Sequence, residues 1–187
     1  VIFGGRSGEH EVSLVSATSV IKSLDKEKYE VVPIGIAQSG RWLSSEKTLQ
    51  MLKSKDGIEQ EPERFLVPEP NRQALMSING VSDSQLDVVF PVVHGTYGED
   101  GTLKGLLELA NIPYVGAGVL GSAVGMDKIV QKQLYQQARI PIAKYVWFHS
   151  SECKSQNKKI VSEIEKQLKY PLFTKPANTG SSVGISK

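Results

Sequence analysis

Residues 86–101 read Leu-Asp-Val-Val-Phe-Pro-Val-Val-His-Gly-Thr-Tyr-Gly-Glu-Asp-Gly. The first eight are mostly apolar, the pattern of a strand covered on both faces. The run breaks at His94-Gly95, and Thr102-Leu103-Lys104-Gly105-Leu106-Leu107-Glu108-Leu109 then sets its leucines on one helical face before Asn111-Ile112-Pro113 stops it. The same order opens the chain. Val1-Ile2-Phe3 reads as a strand, Gly4-Gly5-Arg6-Ser7-Gly8 as a glycine-rich turn, and Val12, Val15, Ser16, Ser19, Val20 and Leu24 recur at helical spacing behind it. Residues 29–37, rich in Val and Ile, read as the next strand, and Ser39-Gly40-Arg41-Trp42 as a turn into a short one. Tyr114-Val115 is a further short strand. Strands alternating with helices in this way predict a parallel α/β sheet with right-handed crossovers, whose ligands gather beyond the strands' carboxyl ends.

Between residues 53 and 84 the sequence is irregular. Pro62, Pro68, Pro70 and Asn79-Gly80 favour loops and short edge strands over a long helix. From Met126 the pattern changes, and a domain boundary is placed there, giving residues 1–125 and 126–187. Asp127 is an N-cap for a helix carrying Ile129, Gln133, Leu134 and Ala138, which ends before Ile140-Pro141. Residues 143–148 read as a strand, 155–169 as an amphipathic helix using Ile160, Ile164 and Leu168, and 171–175 as a strand entering a small-residue loop. Both ends are strand-like without their completing neighbours, the expectation for a piece of a longer chain.

The bulk properties narrow the function classes. With 187 residues, 40% hydrophobic and 22% charged, the chain is in the ordinary globular range. A net charge of +2 and the absence of a dense Lys/Arg run argue against nucleic acid as a partner. Cys153 is alone, and the sequence holds neither a secretory apolar segment nor a run approaching the roughly 20 residues that span a bilayer. A cytoplasmic protein with no membrane partner is the expectation.

Three segments carry groups that chemistry can use. Gly4-Gly5-Arg6-Ser7-Gly8-Glu9-His10-Glu11-Val12-Ser13 brings acidic side chains to a helix start; Glu9 suits an ammonium group, and equally suits capping and the helix dipole. His94-Gly95-Thr96-Tyr97-Gly98-Glu99-Asp100-Gly101 crowds ionisable groups into one loop after a strand. There His94 is a hydrogen-bonding group near neutral pH, Glu99 can orient a cation, and Asp100 is equally well an N-cap. Lys175-Pro176-Ala177-Asn178-Thr179-Gly180-Ser181-Ser182-Val183-Gly184 suits an anion nest with a lysine beside it, though its spacing is not Walker A and a plain Gly/Ser hairpin reads the same.

Together and in this order, these segments resemble the D-alanine:D-alanine ligases of the ATP-grasp superfamily, and so does Met126-Asp127-Lys128. The more specific parts are His94-Gly-x-x-Gly98-Glu99-Asp100-Gly101 with Gly105-x-Leu107-Glu108, and Lys175-Pro176 with Gly180-Ser181-Ser182-Val183-Gly184. The resemblance covers essentially the whole chain. It implies a Rossmann-like amino domain followed by the first α+β lobe of an ATP-grasp domain. One departure is Lys104, where members of the family more often carry Gln.

By that resemblance Glu9 binds the ammonium of the first D-alanine, Ser181 joins the network holding the lid near Glu9, and His94 lines the D-alanine pocket. Lys128 and Lys175 contact ATP phosphates, with the backbone of Ser181, Ser182 and Val183 closing over them. The implied reaction is attack of a D-alanine carboxylate on ATP, then displacement of phosphate by the amine of a second D-alanine. Magnesium (or manganese) is the implied cofactor, with its ligands expected beyond residue 187, and the isolated fragment is expected to be inactive. The family commonly forms homodimers through the amino domain. Ligases using D-lactate or D-serine as the second substrate share all three segments, and a non-catalytic α/β binding domain is the reading of another class.

Overall fold

A computed structural model describes residues 1–43, 48, 64–70, 72, 74–77 and 82–187. The chain divides into two compact units, Val1–Gly125 and Met126–Lys187. The first is built on parallel strands. β1 (Ile2–Gly4) pairs with β2 (Ile34–Ile36) in the register Ile2↔Ile34, Phe3↔Gly35 and Gly4↔Ile36. On its other side β1 is bonded to the segment around Pro91: Ile2 N donates to Phe90 O at 2.9 Å, and Val92 N to Ile2 O at 2.7 Å. That segment is bonded in turn to Tyr114 through Val89, whose N–H donates to Pro113 O and whose carbonyl accepts from Val115 N.

Four parallel segments therefore lie in the order β2, β1, 89–92, 114. Pro91 explains why the last pairing is so short, because a proline has no N–H to extend a ladder past Val89. The segment is less covered than its composition implies. Leu86, Val89, Val92 and Val93 are buried, whereas Asp87 is exposed and Val88 is 50% exposed. The strand expected over 29–37 is also shorter, with Ile34–Ile36 alone in the ladder and Tyr29 held instead in a turn on Asp25.

α1 (His10–Ser23) packs on this sheet with His10, Ser13, Leu14 and Ala17, an i, i+3, i+4, i+7 stripe. The valines singled out in the sequence point elsewhere: Val12 is 49% and Val15 69% exposed. Small and polar residues win the inner face because the helix lies close to backbone there. Ser13 Oγ accepts from Gly4 N at 2.7 Å and donates to Val92 O at 2.6 Å, tying two strands to the helix.

Three short antiparallel strands, β3 (Arg64–Leu66), β4 (Ala74–Ser77) and β5 (Ser82–Gln85), form a second sheet in that order. They occupy part of the stretch expected to be irregular; the remainder of that stretch lies outside the described residues. Leu66 and Leu75 join the core made by Ile2, Ile34, Ile36, Val89, Leu103 and Leu107. α2 (Thr102–Leu109) buries Leu103, Lys104 and Leu107 and ends at Asn111, whose φ of 52° lies in the left-handed region. α3 (Val119–Met126), an additional helix of small and apolar residues, follows.

The second unit begins with α4 (Lys128–Gln137). Its N-cap is Asp127, whose side chain accepts from Ile129 N and Val130 N. The strand expected over 143–148 makes no ladder among the described residues. Ala143 and Tyr145 are instead engaged by α4: Lys132 Nζ donates to Ala143 O and lies 4.7 Å from the Tyr145 ring centroid. α5 (Ser150–Gln167) starts earlier than its periodicity suggested, because Glu152 accepts from His149 N and a non-helical Gln156 divides the helix. Of the strand expected over 171–175, Thr174 alone is paired, in an antiparallel bridge with Ser186.

Candidate functional site

In the first unit the loops after β1 and after Val93 meet at the carboxyl ends of adjacent parallel segments. Gly4 and Gly5 have φ of 87° and 102°, and a Cβ on Gly4 would collide with the carbonyl of Ile36, so the turn requires glycine. Ser7 then joins the two loops. Its Oγ donates to His94 O at 2.7 Å and accepts from Glu9 N at 3.1 Å. Glu9 occupies the N-cap position of α1, but its side chain makes no capping hydrogen bond to the helix. This separates the two roles that spacing left open. Glu9 is 5% exposed, and its carboxylate makes no hydrogen bond among the described residues and lies against Gly95.

His94 is half-buried beside it. Its Nε2 is 3.0 Å from Ser16 Oγ and its Nδ1 is 4.0 Å from Glu99 Oε1. Glu99 closes the loop on itself, its Oε2 accepting from Gly95 N at 2.7 Å while its own N–H donates to Gly95 O at 2.9 Å. Asp100 acts one residue ahead of the N-cap, Gly101. Its two oxygens accept from Tyr97 N, Thr102 N and Thr102 Oγ1. Burial pushes the Asp100 carboxyl up, but the hydrogen bonds from Thr102 and Tyr97 outweigh it and hold the group below its usual value. The Arg6 guanidinium stacks 4.7 Å from the Tyr97 ring centroid, a second tie between the loops.

The structure thus brings Glu9 and His94 to one place. Spacing assigns no role to the serines that arrange them, although Ser7 and Ser13 lie in the first of the three segments and Ser16 in the helical series behind it. Ser7, Ser13 and Ser16 look like ordinary surface residues in a polar stretch; their one legible signal is that Ser13 and Ser16 follow His10 at intervals of three.

In the second unit the 175–185 loop is closed by the Thr174–Ser186 bridge, with N–H to carbonyl distances of 2.8 and 3.1 Å. Lys128 reaches it from the first turn of α4: its N–H donates to Ala177 O, and its Nζ donates to Ala177 O at 3.2 Å and Thr179 O at 2.7 Å. Lys175 is exposed. Ser181 and Ser182 are exposed with φ of 45° and 62°, conformations that non-glycine residues adopt sparingly. Val183 N donates to Gly180 O at 3.0 Å. Among the described residues no group of three or more His, Cys, Asp or Glu side chains comes together to hold a metal ion, and no step is assigned to one.

Residues 1–117 match the family described as D-ala D-ala ligase N-terminus, and residues 134–187 the one described as D-ala D-ala ligase C-terminus. The chain belongs to the D-alanine–D-alanine ligase family. Within it, the D-alanine–D-alanine ligase of Natranaerobius thermophilus is 48% identical over 190 residues, covering 100% of this chain and 52% of that one. Two solved members of the ligase family are similar in structure. The VanG D-Ala:D-Ser ligase from Enterococcus faecalis has a TM-score of 0.78 at 39% identity, covering 99% of this chain and 53% of the other. The D-alanine–D-alanine ligase from Coxiella burnetii has a TM-score of 0.79 at 33% identity, covering 98% and 54%. The chain spans about half the length of the curated relatives it matches. Its fold is the α/β arrangement of these ligases, a Rossmann-like parallel sheet followed by the beginning of an ATP-grasp domain.

Proposed function

We propose that the protein carrying this chain is an ATP-dependent, ADP-forming ligase that joins two D-alanines for peptidoglycan precursors. The observation that carries the reading is Glu9, a residue 5% exposed whose carboxylate is free of capping duty and set against Gly95, next in sequence to His94. A buried carboxylate without a cationic partner is a place for a small ammonium group, since a charge-assisted hydrogen bond there is worth about 1.5–3 kcal/mol. Glu9 takes the ammonium of the first D-alanine, and His94 lines the pocket.

The loop at 175–185 takes the triphosphate. Lys175 supplies an exposed ammonium, Lys128 holds the loop's carbonyls and contacts the phosphates, and the backbone at Ser181, Ser182 and Val183 folds over them. Magnesium supplies charge neutralisation when bound. The carboxylate oxygen of the first D-alanine bonds to the γ-phosphorus of ATP as the bond to ADP breaks; the amine of the second then bonds to the acyl carbon, releasing inorganic phosphate and a proton. Lysines matter because carboxylate and triphosphate repel until cations hold them in line. The proposal includes a cytoplasmic homodimer, and the units correspond to the amino domain at 1–125 and the first part of the ATP-grasp domain at 126–187.

The test is phosphate release by the full-length protein with ATP, magnesium and D-alanine, lost in Glu9→Ala and Lys175→Ala variants. The likeness to a D-Ala:D-Ser ligase supports one second reading, in which D-serine is the preferred second substrate. Release that requires added D-serine selects it, release that requires D-lactate selects the depsipeptide ligase, and silence with every amino acid marks a binding domain.

A further inference from the structure

Among the residues whose burial is described, Lys104 is the one lysine or arginine that is buried, with 8% of its surface exposed. Its position is unfavourable twice over. Desolvation opposes an ammonium there, and so does the positive end of the helix dipole, since Lys104 sits in the first turn of α2. Burial holds its ammonium below the usual lysine value, with Glu99 and Asp100 pulling the other way.

Against this stands one short contact: Lys104 Nζ donates to Gly98 O at 2.7 Å. Gly98 has no freedom on its other side, because a Cβ there would run into the side chain and carbonyl of Val93. Gly98 is therefore held from two directions at the middle of the loop. Its neighbour Glu99 exchanges hydrogen bonds with Gly95 in both directions and stands 4.0 Å from His94, and Gly95 abuts the Glu9 carboxylate. A displacement at Gly98 passes through Glu99 to both walls of the pocket.

We propose that Lys104 is a positioning residue for the amino-acid pocket, its side chain serving as the donor that fixes the Gly98 carbonyl and thereby sets Glu99, Gly95 and His94 against Glu9. It touches no substrate. What the position needs is a donor of this reach, and the charge is incidental. A glutamine amide supplies such a donor, whereas methionine, of similar length and more easily buried, supplies none.

The kinetic part of the test rests on the ligase reading, so it is paired with a measurement that does not. In the full-length protein, Lys104→Met raises the KM for D-alanine about three- to tenfold, the worth of one such hydrogen bond, with kcat and the KM for ATP little changed. In the same variant, amide hydrogen exchange quickens at Gly95 and Glu99 while the amides of β1 and α1 keep their protection. Lys104→Gln restores both. A methionine variant with wild-type KM and wild-type loop exchange overturns the proposal, and so does a glutamine variant as impaired as the methionine one. Loss of protection spread through β1 and α1 also overturns it, since Lys104 would then support the whole unit. If wild-type protein shows no turnover dependent on D-alanine, the ligase reading fails by itself and the exchange data alone decide the role of Lys104.

Discussion

The carboxylate of Glu9 lies so close to the α-carbon of Gly95 that a Cβ added there would collide with its Oε2. Gly95 also has a φ of 71°, which a side chain strains. Two loops more than eighty residues apart in sequence are thus fitted to each other through an acid and a residue with no side chain.

Gly95→Ala displaces Glu9 and strains the loop. The unit loses about 1–3 kcal/mol of stability, from the left-handed backbone and the collision together. Steady-state kinetics on the full-length variant shows the KM for D-alanine raised, and unchanged affinity for the amino acid would separate Glu9 from its binding.

Glu9→Gln keeps the volume and removes the charge. Affinity for the first D-alanine falls about 10- to 100-fold, the worth of a charge-assisted hydrogen bond, while the KM for ATP stays near its wild-type value. Titration calorimetry with D-alanine reads this without needing turnover. An equal loss for ATP would place Glu9 outside the amino-acid pocket.

Ser13→Ala leaves Gly4 N and Val92 O facing a methyl group in the sheet interior, because Ser13 Oγ serves both. The cost is about 1–3 kcal/mol in urea unfolding. Val12→Ala, one residue away but 49% exposed, changes stability by less than about 0.5 kcal/mol.

Asp100 gives the first unit an acid dependence. Its folded value lies below 3.8, so the unfolded chain binds the proton more readily, and the stability that Asp100 contributes is complete above 3.8. It is lost as the pH falls through the lowered folded value. Unfolding curves of wild type and Asp100→Asn, taken from pH 7 downward, differ at neutral pH and converge at the acid end. A constant gap between them would rule out the carboxylate's hydrogen bonds to Thr102 and Tyr97 as the source.

Asp127→Ala removes the acceptor for two N–H groups at the start of α4 and destabilises the second unit by about 1 kcal/mol. Since Lys128 is the next residue and holds Ala177 and Thr179, the KM for ATP rises as the loop loosens. Thermal unfolding and ATP kinetics of the full-length variant check both parts.

The alternation of strands and helices was legible because it is written locally: an apolar run, a glycine turn, a helical period. Asp127 was legible as a cap for the same reason, its partners being two and three residues away. Elements whose existence depends on a neighbour fared worse. Residues 143–148 have the composition of a strand, but a strand is a set of hydrogen bonds to another segment, and here the partners are side chains of α4. The inner face of α1 went to His10, Ser13 and Ala17 rather than Val12 and Val15, because the closeness of the sheet backbone is invisible from within the helix.

The sequence by itself determined the family, the parallel α/β class and the identity of Glu9 and His94 as site candidates, since motifs and periodicity are properties of neighbouring residues. Tertiary structure alone decided that the Glu9 side chain is set against Gly95 and makes no cap to its helix, and that Lys104 lies buried beneath the loop it holds. Those outcomes turn on burial and on the approach of loops from elsewhere in the unit, which choose among roles that spacing leaves equal, although the Lys104–Gly98 bond itself spans only six residues.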